Sequence, residues 1–205
     1  MSWPVLPRSA NVGTRGSHGP VVRAGTGGWP ALPRRVLGAC LLRSSVYEEV
    51  EGDATATAQA ALVVVASSVS GGIGATGFTS HGVATAVFFT LMGLAFWVAW
   101  ALVTLAVGKR LLPSRETQSN MGEMLRTLGF ATAPGLLRPA ALVPGLAAPV
   151  LALTTVWMVA AMVLAVRHAL DYRTVWQAVA VCLIGWLFAI GFVLLFGTLF
   201  GPTLS

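Results

Sequence analysis

The chain has 205 residues, of which 56% are hydrophobic and only 10% are charged, and its formal net charge is +6. A soluble domain has about 25% charged residues, so this composition argues against a water-soluble globular protein. Nucleic-acid binding is not predicted, because the arginines form neither a basic helix nor a pattern with interleaved aromatic residues.

The first predicted element is a tail over residues 1–35. It contains five arginines, no acidic residue and many prolines and glycines. Proline breaks helices, and the few apolar residues cannot offset the entropy lost on ordering. The segment also lacks the apolar stretch of a secretory signal. It is predicted either as a disordered basic tail or as the product of a gene start placed too far upstream.

Residues 36–53 follow as an amphipathic segment. Apolar residues recur at helical spacing from Val36 to Tyr47, with arginines at polar positions, which predicts a short helix lying on a membrane surface. Four carboxylates close the segment: Glu48, Glu49, Glu51 and Asp53. They are the candidate contact surface for a basic partner. A divalent cation site, or simple stabilisation of a helix N-terminus, remains open as an alternative.

Four long runs contain no Asp, Glu, Lys or Arg. They have 21 to 26 residues each and cover Ala54–Gly74, Val83–Val107, Leu146–Val166 and Val175–Phe200. About 20 apolar residues in a helix cross the hydrocarbon core of a bilayer, so each run predicts a membrane span. Ser70–Gly82, which is rich in glycine, is predicted as the hairpin loop between the first two.

A further span is predicted over about Gly122–Val143, as a helix kinked at Pro134. Arg126 and Arg138 lie twelve positions apart and are expected to reach opposite membrane interfaces with their long side chains. Ionisable residues within spans often mark ion or proton pathways. A candidate polar site in this helix therefore consists of Glu123, Arg126, Pro134 and Arg138.

Five spans place the basic residues asymmetrically. Twelve of the thirteen fall on one side of the membrane, and only Arg138 falls on the other. Basic residues near short loops mark the cytoplasmic side, so the N-terminus is predicted inside and the C-terminus outside. The predicted fold is therefore all-α: a polytopic bundle of five transmembrane helices, with spans at about 54–74, 83–107, 122–143, 146–166 and 175–200.

Chemistry-bearing patterns are few, and no catalytic residue, cofactor site or metal site is predicted. Cys40 and Cys182 stand far apart without zinc-ligand spacing. Gly72, Gly74 and Gly77 match a dinucleotide-binding pattern, but they follow a hydrophobic helix where that pattern requires a strand. The sequence thus favours a protein that is not an enzyme.

Two segments resemble those of bacterial Yip1-domain membrane proteins. One precedes the first span at Leu41–Glu51; the other, Glu123–Leu137, leads from a leucine-rich stretch through Gly129 and Phe130 to Pro134. Trp157 also fits, and the resemblance covers about Leu41–Phe200. It implies five membrane helices with a cytosolic N-terminus. The vesicle-trafficking role of eukaryotic members is not implied for a bacterial chain.

The leading functional hypothesis is a non-enzymatic, Yip1-like integral membrane protein. It would act through helix packing and contacts with another membrane or membrane-associated protein, with the lipid bilayer as its surroundings. The alternative is a small transporter or channel subunit that uses the polar site near Pro134. Twelve of the thirteen basic residues are Arg, as in a GC-rich genome, so we expect a multi-pass protein of a bacterial cytoplasmic membrane.

Overall fold

The computed structural model describes residues 28–76, 82–110 and 120–200, and every element within these ranges is helical. The α-helices are α1 Leu32–Cys40, α2 Ser44–Gly52, α3 Ala56–Thr76, α4 Gly82–Arg110, α5 Met121–Phe130, α6 Ala147–Ala169 and α7 Val175–Phe200. A 3-10 turn precedes α1 at Trp29–Ala31, and a 3-10 segment at Ala133–Leu142 follows α5. The predicted tail up to residue 27 and Gly77 of the predicted hairpin loop lie outside the described residues.

Three helices are long and apolar enough to cross a membrane: Ala56–Gly74, Thr90–Arg110 and Ala147–Ala169. A shorter apolar stretch, Val175–Leu187, begins α7. The all-helical class is confirmed, and the three helices indicate a membrane protein. The number of five spans and the sidedness of the termini stay predictions.

The segment predicted as one short surface helix instead forms a hairpin of α1 and α2, and its position on a membrane surface stays a prediction. Leu42 has a positive φ of 54° at the turn, where the N–H of Arg43 bonds to the carbonyl of Gly38 at 2.9 Å. This caps α1 with a left-handed residue. The tail boundary at residue 35 is also wrong, since α1 begins at Leu32 and buries Arg35.

The first candidate span, Ala56–Gly74, ends where the sequence predicted, but its helix continues into the segment predicted as a loop. Residues 70–76, expected in a loop, continue α3 to Thr76. A Cβ atom at Gly74 would lie 2.5 Å from the carbonyl oxygen of Arg138. The glycines here therefore serve the close packing of the 3-10 segment on α3, and not a flexible turn.

The predicted helix over Gly122–Val143 is not continuous. The α-helical part ends at Phe130, and the chain continues as the 3-10 segment, which contains Pro134 and Pro139. Proline has no N–H group and clashes with the preceding helical turn, so two prolines in this stretch disfavour an α-helix. The kink expected at Pro134 is thus a change of helix type.

The α5 helix and the 3-10 segment run together along α3. A Cβ atom at Gly129 would lie 2.7 Å from the Cβ of Ala60, near the start of α3, whereas Gly71 and Gly74 near its other end adjoin Arg138. The combined segment therefore follows nearly the whole length of α3. Small side chains such as Ala60 and Ala161 are fully buried where the helices meet.

Candidate functional site

Arg35 is the centre of a charged cluster at one end of the bundle. Its side chain is 1% exposed and donates to Glu49 at 2.9 Å, Asp53 at 2.6 Å and Gln59 at 3.0 Å. Arg34, which is mostly exposed, adds a second contact to Glu49 at 2.6 Å. We call Arg34, Arg35, Glu49, Asp53 and Gln59 the arginine cluster. It joins α1, α2 and the first turn of α3.

The two carboxylates of the arginine cluster are held ionised. Burial raises the pKa of Glu49, but hydrogen bonds and positive charge from Arg34 and Arg35 outweigh it, so the pKa lies below its ordinary value. The pKa of Asp53 is lowered in the same sense, because bonds from Thr55 and Arg35 outweigh its burial. Both carboxylates are thus engaged within the chain.

Arg126 binds the end of α2 from α5. Its side chain is 8% exposed, and its guanidinium donates to the carbonyl of Val50 at 2.9 Å and to the carbonyl of Glu51. The last carbonyls of a helix have no partner within the helix, and a cation is favourable there. Arg126 therefore caps α2, and its position at a membrane interface stays a prediction.

Glu48 and Glu51 belong to a different group of charges. Burial, together with the negative charges of Asp171 and Glu123, raises the pKa of Glu51 to about 7, although Arg126 opposes the shift. Glu48 is exposed, and its carboxylate lies 3.7 Å from Nδ1 of His168. We call Glu48, Glu51, Glu123 and Asp171 the acidic patch. The four predicted contact carboxylates are thus divided between this patch and the arginine cluster.

The predicted polar site is not brought together as one site. Glu123 forms a capping box with Asn120 at the start of α5, accepting from the Asn120 N–H at 2.9 Å. Arg126 caps α2, and Pro134 is buried at the start of the 3-10 segment. Arg138 lies near the opposite end of α3. Within the described ranges, no group of three or more His, Cys, Asp or Glu side chains is placed to hold a metal ion.

A cavity of about 390 Å³ lies between the helices on the side of Arg138. It falls within the usual range for ligand pockets, about 300–1,000 Å³. Most of its lining is apolar, and Ser67, Ser68, Thr132, Thr155 and Arg138 add polar groups. The apolar lining residues are Val64, Met92, Phe96, Trp97, Trp100, Leu128, Met158, Val159, Met162 and Trp186, with Gly71 and Gly93 between them.

Two lining residues carry buried N–H groups without a partner. They are the Nε of Arg138 and the indole Nε1 of Trp100, neither of which bonds to any part of the chain that the structure describes. Trp97, by contrast, donates to the carbonyl of Leu125 at 3.0 Å. Arg and Trp side chains only donate hydrogen bonds, so a ligand that satisfied them would have to supply acceptors.

Sequence reasoning missed the roles of Arg35, Gln59 and Trp100. Arg35 was assigned to the tail. Its distance along the chain from Glu49 and Asp53 is nevertheless long enough for these opposite charges to meet when the chain folds back. Gln59 and Trp100 sit in apolar runs where no pattern distinguishes them from packing residues. Pro134 and Pro139 were a usable signal for the change of helix type.

Comparison with known proteins gives no match by three routes: family models, curated proteins and solved structures. The comparisons therefore identify no family, and the resemblance to Yip1-domain proteins, carried by Leu41–Glu51, Glu123–Leu137 and Trp157, stays a prediction.

Proposed function

We propose that the chain is a non-enzymatic, Yip1-like integral membrane protein that acts by contacting another membrane or membrane-associated protein. The contact surface in this proposal is the acidic patch, which retains Glu48 and Glu51 from the sequence prediction and adds Glu123 and Asp171. A basic segment complements this charge. Its place is a bacterial cytoplasmic membrane, in keeping with the arginine-rich composition.

The observation that carries the proposal is how the α1–α2 hairpin is attached. Arg35 joins α1 to Glu49, Asp53 and Gln59, and Arg126 joins the end of α2 to α5. The partly buried indole of Trp157 also donates to the carbonyl of Cys40 at 2.7 Å. These bonds hold the backbone that carries Glu48 and Glu51 in a fixed position, and preorganisation of this kind reduces the entropy cost of binding.

The proposal includes five crossings with the N-terminus inside. The course of α5 and the 3-10 segment along α3 supports a crossing by that pair of segments, since α3 itself is long enough to span. The acidic patch and the arginine cluster then lie at the cytoplasmic end, and Arg138 lies at the outer end.

Photocrosslinking in native membranes tests the contact surface. A photoreactive amino acid at Glu48 should capture a partner, because this side chain is exposed within the acidic patch. The same amino acid at Leu153, which is 63% exposed on α6, is the matched control. Equal capture at both positions would contradict the proposal. In a second test the photoreactive amino acid replaces Arg173, and Glu48→Gln and Glu51→Gln are introduced together. Capture from Arg173 that persists in this double variant would also contradict the proposal.

Topology is tested by thiol labelling with a membrane-impermeant reagent. In a background of Cys40→Ser and Cys182→Ala, we expect labelling of V143C from outside intact cells. R173C should be labelled only after the cells are opened. The reverse pattern, or labelling of both from one side, would contradict five crossings in the proposed orientation.

A small transporter or channel subunit remains the second candidate, and the cavity beside Arg138 is the observation that favours it. The test measures the flux of a solute into proteoliposomes. Flux that is abolished by Arg138→Met and unchanged by Arg43→Met would support this candidate. Flux that survives Arg138→Met would exclude the cavity as its route.

A further inference from the structure

We propose that the cavity beside Arg138 binds one anionic phospholipid of the bilayer. In this arrangement Arg138 receives the headgroup phosphate and one acyl chain fills the space between the helices. The inference requires that the bundle lies in a membrane. It does not depend on the partner contact proposed for the acidic patch.

The charge of the cavity selects the headgroup. Arg138 is half-buried, and its Nε is a buried donor without a partner in the described part of the chain. The residues lining the cavity include no Asp or Glu. A phosphate suits a guanidinium, which binds such anions with charge-assisted and often paired hydrogen bonds. A headgroup that adds an ammonium would find no carboxylate among these lining residues.

The depth of the cavity suits an acyl chain. Arg138 adjoins Gly71 near one end of α3, and the lining continues to Val64, which lies about 10 Å further along the helix. Met158 and Met162 line this inner part. Methionine side chains are flexible and apolar, so they adapt to chains of different shape.

The opening of the cavity suits entry from the bilayer. Met92, Phe96 and Trp186 line it and are also 50%, 52% and 42% exposed. These side chains lie on α4 and α7, within the apolar stretches Thr90–Arg110 and Val175–Leu187. A lipid could therefore reach the cavity from the side, over these exposed apolar side chains, without passing through water.

Close packing around Arg138 explains why the guanidinium stays available. The backbone carbonyl of Arg138 packs on Gly74, and a Cβ atom at Gly71 would lie 3.2 Å from Nη1 of Arg138. Glycines at both positions leave room for the side chain beside α3. Packing of the backbone thus fixes the position of Arg138, and its guanidinium can bind a ligand.

Native mass spectrometry of the full chain, released from detergent, tests the proposal. The probes are phosphatidylglycerol, phosphatidylcholine with the same acyl chains, and oleate. We expect one phosphatidylglycerol to be retained in preference to the other two. Arg138→Gln should lower this retention about tenfold, the scale of one charge-assisted hydrogen bond. Arg43→Gln, which removes an exposed arginine outside the cavity, should leave it unchanged.

A second variant keeps the test valid if Arg138→Gln unfolds. Val159→Phe fills the partly exposed edge of the cavity and keeps Arg138, so it should also reduce retention of phosphatidylglycerol. Equal retention of the two phospholipids, preferential retention of oleate, or full retention by both variants would each overturn the proposal. Loss of the partner crosslink at Glu48 would bear only on the acidic patch.

Discussion

The two ends of α3 hold arginines in opposite situations. At the end near α1 and α2, Arg35 and Arg126 are almost fully buried, and each has its donors bonded to carboxylates, an amide or backbone carbonyls. At the other end, Arg138 is half-buried beside a cavity, and its Nε has no partner among the described residues. A buried cation with satisfied donors holds a fold together, whereas one without them is suited to a ligand.

The position of an arginine within a predicted span therefore does not assign its role. Arg126 and Arg138 belong to the same segment and looked equivalent in the sequence, twelve residues apart. The difference lies in what each meets: the end of α2 in one case, and an apolar cavity in the other. The predictions that follow separate a structural arginine from a binding one.

The largest effect is expected for Arg35→Met. It removes three hydrogen bonds that the buried guanidinium donates to Glu49, Asp53 and Gln59, and together these contribute about 3 kcal/mol. The free energy of unfolding in detergent, measured by denaturant titration, should fall by this amount.

Arg34→Gln is the matched control, since Arg34 binds the same Glu49 from a mostly exposed position. Exposed ion pairs contribute about 1 kcal/mol or less. A loss as large as that of Arg35→Met would show that burial does not separate the two arginines.

Arg126→Met should lower the free energy of unfolding by about 2 kcal/mol. It removes charged hydrogen bonds to the carbonyls of Val50 and Glu51 at the end of α2. Protease cleavage within α1–α2 should also become faster, because the hairpin loses its attachment to α5. Unchanged cleavage and stability would contradict the capping role, and Arg43→Met serves as the exposed control.

Glu51 should make stability depend on pH. Burial and the neighbouring negative charges raise its pKa from an ordinary value of 4.5 to about 7 in the folded protein, so between these values the folded state keeps a proton that the unfolded state has lost. Stability should therefore fall as pH rises through this window, by roughly 1 kcal/mol after screening by solvent. Glu51→Gln should remove this part of the slope, and Glu48→Gln should largely preserve it.

Arg138→Met is expected to have the smallest effect on the empty protein. Replacing a buried donor that lacks a partner removes an unfavourable group and breaks no hydrogen bond within the described ranges. The free energy of unfolding without lipid should stay within about 0.5 kcal/mol of the unsubstituted protein or rise slightly. A loss near that of Arg126→Met would mean that Arg138 supports the fold.

The sequence predicted the helical membrane class well, because membrane-crossing helices exclude charge over about 20 residues and this pattern is local. The sequence could not predict that Arg35 belongs to α1 and forms ion pairs with Glu49 and Asp53. These contacts form only when α1 folds back on α2. The end of the tail was predicted at residue 35 from amino-acid composition. Composition changes gradually along the chain, whereas α1 begins at a single residue, Leu32.

The candidate site was only half predictable. Arg138 and Pro134 stood out in the sequence, but the cavity depends on how α3, α4, α6 and α7 pack, and no single segment encodes that space. Glycines such as Gly71 and Gly74 suggested a loop because glycine favours turns. In the structure they allow the close approach of two helical segments, which is another use of a missing side chain.

Thermal unfolding of three proteins with and without phosphatidylglycerol tests the central comparison most directly. The unsubstituted chain should gain stability on addition of this lipid, because ligands that bind only the folded state stabilise it. Arg126→Met should start lower and gain as much, whereas Arg138→Met should start at the same temperature and gain little. An Arg138→Met protein that starts as low as Arg126→Met, or gains as much from the lipid as the unsubstituted chain, would contradict the separation of roles.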